Sequence, residues 1–336
     1  MLLRELGEFG LIARLGQNLG VRDGVVRGIG DDAAVLAPLA CPVISADALI
    51  EGIHFRRDWT SPRLLGRKSL SVNLSDLAAA GAAPVAVFLC LALGPDETVE
   101  FLEEFYAGME ELALRHDFTI AGGDMTRSPA PLMISVTIIG KPYSAARGPL
   151  SRAGARPGDV LLVSGSLGAS AAGLALLTRQ PASDAISATA RELVLDRHLN
   201  PTARLDVIRA AMEFDAQAIH AALDLSDGLG GDAWHLARRS GLEIRIRTES
   251  LPVAPETRAV AAALGDDPMA CALSGGEDYE LLLAVAPQGA PALCQRVLER
   301  TGVALTAIGE CVEGQPVVRI FEAGRERQGS RGFTHF

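Results

Sequence analysis

Apolar and polar positions divide the chain into two successive series of strands and helices. Apolar residues at helical spacing run from Glu8 to about Leu19 and stop near Gly20, which predicts an N-terminal helix. β-rich runs follow at Ala33–Leu36 and Pro42–Ser45; acids break them, so the carboxylates are expected at strand ends. The stretch from Pro62 to Ala83 reads as a helix with Ser61 as its cap, Pro62 in its first turn and Gly81 as its stop. Asn73 and Asp76, three apart on that helix, share a face. A strand at Val85–Leu93, a helix from about Asp96 to Arg115, a short strand ending in AGGDMTR and a strand at Leu132–Gly140 complete the first series.

Gly, Pro and Arg collect over residues 143 to 158, which places a boundary there and predicts domains at 1–148 and 149–336. The second series opens with a strand at Val160–Val163, a glycine-rich turn and a helix. It continues with a helix entered from DLSDG, a strand at Glu243–Arg247, and SGGEDYELLLAVAP, a turn leading into a strand. The strand-helix-strand rhythm predicts an α/β chain. At 336 residues the chain exceeds what one core usually serves, which agrees with two domains.

Composition narrows the function classes. Apolar residues make up 49% and charged ones 21%, a globular balance. A formal charge of -10 repels phosphate backbones, and 4% aromatic residues make a poor base-stacking platform, so nucleic acid is not expected as a partner. No apolar run reaches the roughly 20 residues of a membrane span, and the N-terminus lacks a signal peptide's apolar stretch. Cys41, Cys90, Cys271, Cys294 and Cys311 form no CxxC pair and read as small core residues. A reducing cytoplasm is the expected compartment.

Acids recur beside glycine and at predicted element ends: Asp31 and Asp32, Asp47, Asp76, Asp124, Asp224 and Asp227, Asp232, Glu277 and Asp278. Each alone is compatible with a cap or a turn. As a set they are embedded in small and apolar neighbours, where a carboxylate is costly unless paired or bound to a cation. Magnesium, held by a few carboxylates together with substrate phosphates, fits that pattern; zinc does not, because no His/Cys set has its spacing.

Other features stay two-sided. The run Ser164–Gly173 is either a phosphate cradle or a tight ligand-free turn, and it lacks both the Walker ending and the Rossmann spacing. Ser226 has the ordinary role of a helix cap. His54 serves either structure or substrate, and Arg152 and Arg127 either meet phosphate or are solvated charges. No serine sits in a nucleophile elbow.

The ordered series GEFGLIARL, GIGDDAAVL, SADALIEGIHF, VNLSDLAAAGAAP, AGGDMTR, SRAGARPGD, DLSDGL, SGGEDYEL and GFTHF resembles the thiamine-monophosphate kinases from Gly7 to Phe336. Their superfamily includes aminoimidazole ribonucleotide synthetase and selenophosphate synthetase. The resemblance implies a two-domain α/β (α+β) fold, with an N-terminal domain for metal and ATP binding and for pairing in a homodimer through its sheet. It implies ATP and thiamine monophosphate as substrates, and several Mg2+ ions. By motif, Asp31, Ser45, Asp47, Asp76, Asp124, Asp224 and Asp227 are metal ligands. Gly123, Asp124, Arg152 and Ser226 touch the nucleotide, and His54, Glu277 and Phe333 line the thiamine phosphate site. Ala46 stands where the family usually has threonine, so any metal contact there comes from its backbone carbonyl. Met125 replaces a threonine of the GGDTTR pattern, and Arg115 and His116 stand where an aromatic residue near the base is common.

A phosphate monoester acceptor with a second pKa of about 6 is largely deprotonated at neutral pH, so no general base is expected. Glu277 facing a cationic thiazolium is electrostatically sensible, and Phe333 offers a cation-π face. Two rivals are a related ATP-using synthetase and a non-catalytic nucleotide-sensing module. The first is disfavoured because no cysteine sits in a Gly-rich N-terminal loop and the chain ends in Phe336 rather than cysteine; the second is disfavoured by the complete acidic set.

Overall fold

A computed structural model describes the chain except residues 1–2, 7, 17–18, 30–32, 130, 180–185 and 328–336. The chain forms two compact units, one of residues 1–77 and 82–142 and one of residues 78–81 and 143–336.

The first unit begins with α1 (Leu3–Leu6), α2 (Glu8–Gly16) and the paired short strands β1 (Val25–Arg27) and β2 (Val35–Leu36). Its main sheet has the order β3-β6-β4-β5, built from β3 (Val43–Ile50), β4 (Ala82–Leu93), β5 (Thr119–Arg127) and β6 (Met133–Pro142). β6 is antiparallel to both neighbours, and β4 runs parallel to β5. Two helices, α3 (Pro62–Ala79) and α4 (Val99–His116), supply Leu65, Leu70, Leu74, Leu77, Leu102, Phe105 and Met109 to the core. Leu89, Leu91, Ile134 and Val136 of the sheet are buried as well.

Two boundaries move from their sequence expectation. β3 continues past Ser45 to Ile50 because its ladder with β6 holds without a break from Val43 opposite Gly140 to Ile50 opposite Met133. Asp47 therefore lies in mid-strand, not at a strand end, and Asp124 lies within β5. α4 starts only at Val99, where the Thr98 hydroxyl accepts from the Phe101 amide at 3.1 Å, a side-chain cap. α3 opens as expected: the Ser61 hydroxyl accepts from the Leu64 amide at 3.3 Å.

The second unit is organised by a sheet of order β13-β12-β9-β11-β7-β10-β8. Its strands are β7 (Val160–Ser164), β8 (Ile219–Asp224), β9 (Glu243–Arg247), β10 (Leu281–Val285), β11 (Leu305–Val312), β12 (Val317–Glu322) and β13 (Arg325–Arg327). Only the β9–β12 pair is parallel. Seven helices accompany it among the described residues: α5 (Ala169–Arg179), α6 (Ala188–Leu199), α7 (Leu205–Asp215), α8 (Leu229–Ser240), α9 (Pro255–Leu264), α10 (Pro268–Ser274) and α11 (Ala290–Thr301). Leu161, Val163, Leu223, Ile244, Ile246, Leu282 and Ile308 of the sheet form one core with Leu229, Ala233 and Leu236 of α8 and Leu273 of α10. A smaller core joins α5, α6 and α9 through Leu176, Val194 and Val260. α7 and α11 pack on each other.

Candidate functional site

Two groups of predicted site residues stand in the structure, one in each unit. In the first, Ser45 and Asp47 alternate along β3 toward the same side, while Ile44, Ala46 and Ile50 point to the other and are exposed. α3 brings Asp76 to that side, where the Ser45 hydroxyl donates to Asp76 Oδ2 at 2.5 Å. Asn73, one turn earlier, is fully buried; its Nδ2 donates to the Ser69 carbonyl at 3.1 Å while its Oδ1 lacks a hydrogen-bond partner. Half-buried Asp76 thus has a hydroxyl beside it and an oxygen acceptor one turn away, an all-oxygen environment of the kind a hard cation prefers.

Asp124 is not part of this group. β3 and β5 are opposite edges of the sheet with two strands between them, so Asp47 and Asp124 are separated by roughly 14 Å at the usual strand spacing. Asp124 is exposed and pairs in register with exposed Cys90. Beside it, Gly123 has no room for a side chain: a Cβ would stand 1.8 Å from the Leu89 carbonyl oxygen. The close approach there is between backbones, which only glycine permits. His54 sits in the turn after β3, with its Nδ1 accepting from the Ile50 amide at 3.0 Å, so its ring proton is on Nε2. Asp31 lies outside the described residues.

In the second unit, the LSDG and SGGEDYE segments run side by side. The Leu225 amide donates to the Glu280 carbonyl at 2.8 Å, the Tyr279 amide to the Leu225 carbonyl at 2.9 Å, and the Glu277 amide to the Ser226 carbonyl at 2.7 Å. Glu277 and Tyr279 adopt φ of 64° and 50°, a left-handed backbone that costs energy for residues with side chains and persists where the surroundings impose it. Ser226 is no cap: α8 begins at Leu229 after Gly228, with no side-chain hydrogen bond at the cap. Instead Asp232, in the first turn, accepts from the Asp227 amide at 3.1 Å.

Burial pushes the Asp232 carboxyl up to about 7; the Asp227 amide and Arg152 pull it down, while the charges of Asp227 and Asp224 raise it further. Asp224 ends β8, buried, and Asp227 is half-buried. Three carboxylates are close enough to repel one another, with Arg152, exposed before β7, as the countercharge. Burial and the positive charge of Arg152 likewise lower the His235 pKa. Crowded carboxylates with one cation nearby fit a divalent ion delivered with a phosphate.

Among the described residues no set of three or more His, Cys, Asp or Glu side chains is arranged to hold a metal ion by itself. The donor chemistry of both groups suits Mg2+, which commonly takes one or two carboxylates and completes its shell with phosphate and water.

Several residues at this site carry no sequence signal. Glu280 is 1% exposed, and its carboxylate is gripped by Arg204, whose Nε donates to Oε2 at 2.6 Å and whose Nη2 donates to Oε1. The Ser164 hydroxyl donates to the same Oε2 at 2.6 Å. His198, buried on α6, has its Nδ1 3.2 Å from Glu277 Oε2 and 3.0 Å from the Ser170 hydroxyl. The Gly168 and Ser170 amides at the start of α5 donate to Asp278 at 2.7 and 3.4 Å. For these two amides the glycine-rich turn is a ligand-free one, since the anion they bind is the chain's own. Asp278 itself lies in the SGGEDYE segment, and burial lifts its carboxyl to about 7. Phe333 lies outside the described residues.

Residues 30–141 match the family described as AIR synthase related protein, N-terminal domain, and residues 156–321 match its C-terminal domain family. The chain is 35% identical to the thiamine-monophosphate kinase of Aquifex aeolicus (strain VF5), over 100% of both chains. It is similar to the crystal structure of thiamine-monophosphate kinase from Stenotrophomonas maltophilia K279a, with 36% identity, a TM-score of 0.80, and 94% of this chain and 95% of that one covered. It is also similar to AaThiL complexed with AMPPCP and TMP, with 33% identity, a TM-score of 0.74, and 100% and 99% covered.

Proposed function

The chain belongs to the thiamine-monophosphate kinase family, and from that premise we propose the residues by which it transfers a phosphoryl group from ATP to thiamine monophosphate, giving ADP and thiamine diphosphate. The observation that carries the assignment of roles is the Ser45–Asp76 contact, with Asp47 on the same side of β3. Those three, the Ala46 carbonyl and Asp31 hold Mg2+ together with nucleotide phosphate. Asp124, Asp224 and Asp227 take further metal-phosphate contacts, each within its own unit.

When bound, Mg2+ supplies positive charge that screens the two polyanions and stabilises the transferring phosphoryl group. The chain's residues position the reactants. Arg152 adds a guanidinium fork for phosphate oxygens. Gly123 lets backbone come close to the nucleotide, and Ser226 offers its hydroxyl from the rigid LSDG segment. Glu277 places a negative charge opposite the thiazolium ring, His54 presents its Nε2 proton to the acceptor, and Phe333 adds an aromatic face.

The acceptor phosphate is itself the nucleophile, so the residue set needs no acid, base or covalent nucleophile, and transfer is direct. The purified protein with Mg-ATP and a chiral γ-phosphorus is expected to give thiamine diphosphate with inverted configuration; retention overturns direct transfer. A panel of acceptors tests the substrate: ADP release that is equal with and without thiamine monophosphate contradicts the kinase reading.

A cytoplasmic homodimer, paired through the first unit's sheet, completes the proposal. Ile44, Ile50 and Met133 are 61%, 38% and 39% exposed on one face of β3 and β6, more apolar surface than a solvated face normally presents. Among the described residues no helix is long and apolar enough to cross a membrane.

A further inference from the structure

We propose that the buried Arg204–Glu280 ion pair is a positioning device for acceptor binding: it touches no substrate and fixes where Glu277 presents its carboxylate. The inference rests on the reading of Glu277 as the residue that faces the thiazolium.

Replacing a buried ion pair by apolar residues of similar volume is often neutral or stabilising, so the pair's presence is not explained by stability alone. Its geometry shows what it fixes. Glu280 uses both carboxylate oxygens on the Arg204 fork, and Oε2 also accepts from Ser164, whose own hydroxyl oxygen accepts from the Leu281 amide at 2.8 Å. The last residue of β7, the first of β10 and the residue preceding α7 are thereby tied to one carboxylate. From that anchor the chain runs back through Tyr279 and Asp278 to Glu277. Two of those residues have positive φ, and Asp278 is held on the α5 amides. Such a backbone is held by its surroundings rather than by its own preference. The Glu280 side chain is the charged, fully enclosed end of the segment, and the bidentate grip of Arg204 sets its direction as well as its place.

The test compares Arg204→Met/Glu280→Leu, which removes both charges and keeps the volume, with the parent protein, each with and without Glu277→Gln. Thermal melting and the KM for thiamine monophosphate and for ATP are read for all four. The pair as a positioning device predicts a double variant that melts close to the parent yet has a KM for thiamine monophosphate raised about tenfold, with the KM for ATP changed far less. It also predicts that Glu277→Gln raises that KM in the parent and adds little in the double variant. A double variant with parental melting and parental KM overturns the positioning role while leaving the Glu277 reading intact. A Glu277→Gln that is silent in the parent sinks the Glu277 reading, and this inference with it. Should the double variant not fold, Arg204→Lys gives the same reading: it keeps the charge and loses the fork, so a KM for thiamine monophosphate raised several-fold supports the role and an unchanged one overturns it.

Discussion

The acids of the first unit and those of the second are solved differently by the fold. On β3 and α3 they stand on regular elements, and the partner found for Asp76 is a neutral hydroxyl. In the second unit they crowd two loops and the ends of the elements beside them, and several are held by internal partners: Glu280 by Arg204, Asp278 by the Gly168 and Ser170 amides, Asp232 by the Asp227 amide. An acidic motif residue is therefore not by itself a ligand. A carboxylate beside a hydroxyl is available to a cation, whereas one committed to a guanidinium or to helix amides serves the scaffold.

The sharpest way to break this contrast is to remove one acid from each side. Asp76→Asn is expected to lower kcat/KM about a thousandfold, about 4 kcal/mol of transition-state stabilisation, with the melting temperature kept. Activity within threefold of the parent at saturating Mg2+ counts against its role. Glu280→Gln should do the reverse in kind: it leaves Arg204 buried without its charge partner and costs about 3–5 kcal/mol in a denaturant melt. A loss below 1 kcal/mol would show the pair to be less committed than its burial indicates.

Gly123→Ala tests whether the first unit's other motif depends on backbone rather than charge. With a Cβ 1.8 Å from the Leu89 oxygen, β4 and β5 must separate, and a loss of about 1–3 kcal/mol is expected; a melt superposing on the parent's contradicts the close approach. The smallest effect is in pH. The Asp278 carboxyl titrates at about 7 in the fold and near 3.8 when unfolded, so it favours the fold below about 4 and loses that contribution as pH rises to about 7. Asp278→Asn should therefore gain stability relative to the parent across that window, by at most about 1.4 kcal/mol per pH unit. A difference that is flat with pH contradicts the shift; Asp232 has the same sign and remains in both proteins.

Most elements were legible because their signals are local. Ser61 and Pro62 mark the start of α3, and Glu243–Arg247 is a strand in both readings. Where pairing decides, the sequence misleads: an acid breaks the hydrophobic pattern at Asp47, yet the ladder to β6 carries the strand through it. At the site, Ser45 and Asp76 could be named from their motifs, and their meeting needed the fold. Nothing in the spacing links Arg204 to Glu280, 76 residues away, or His198 to Glu277, since in the fold Arg204, just before α7, and His198, on α6, meet the segment that leads into β10. The glycine-rich turn before α5 had two readings because amides bind a phosphate and a carboxylate by the same chemistry.

Asp76 and its neighbours, as proposed, hold Mg2+ with nucleotide phosphate. Calorimetric binding of a non-hydrolysable ATP analogue, titrated over Mg2+ in the parent and in Asp76→Asn, tests it without relying on turnover. Mg2+ is expected to tighten binding in the parent, and the variant to lose most of this gain; superimposable Mg2+ dependences in the two proteins would contradict the metal-holding role of Asp76.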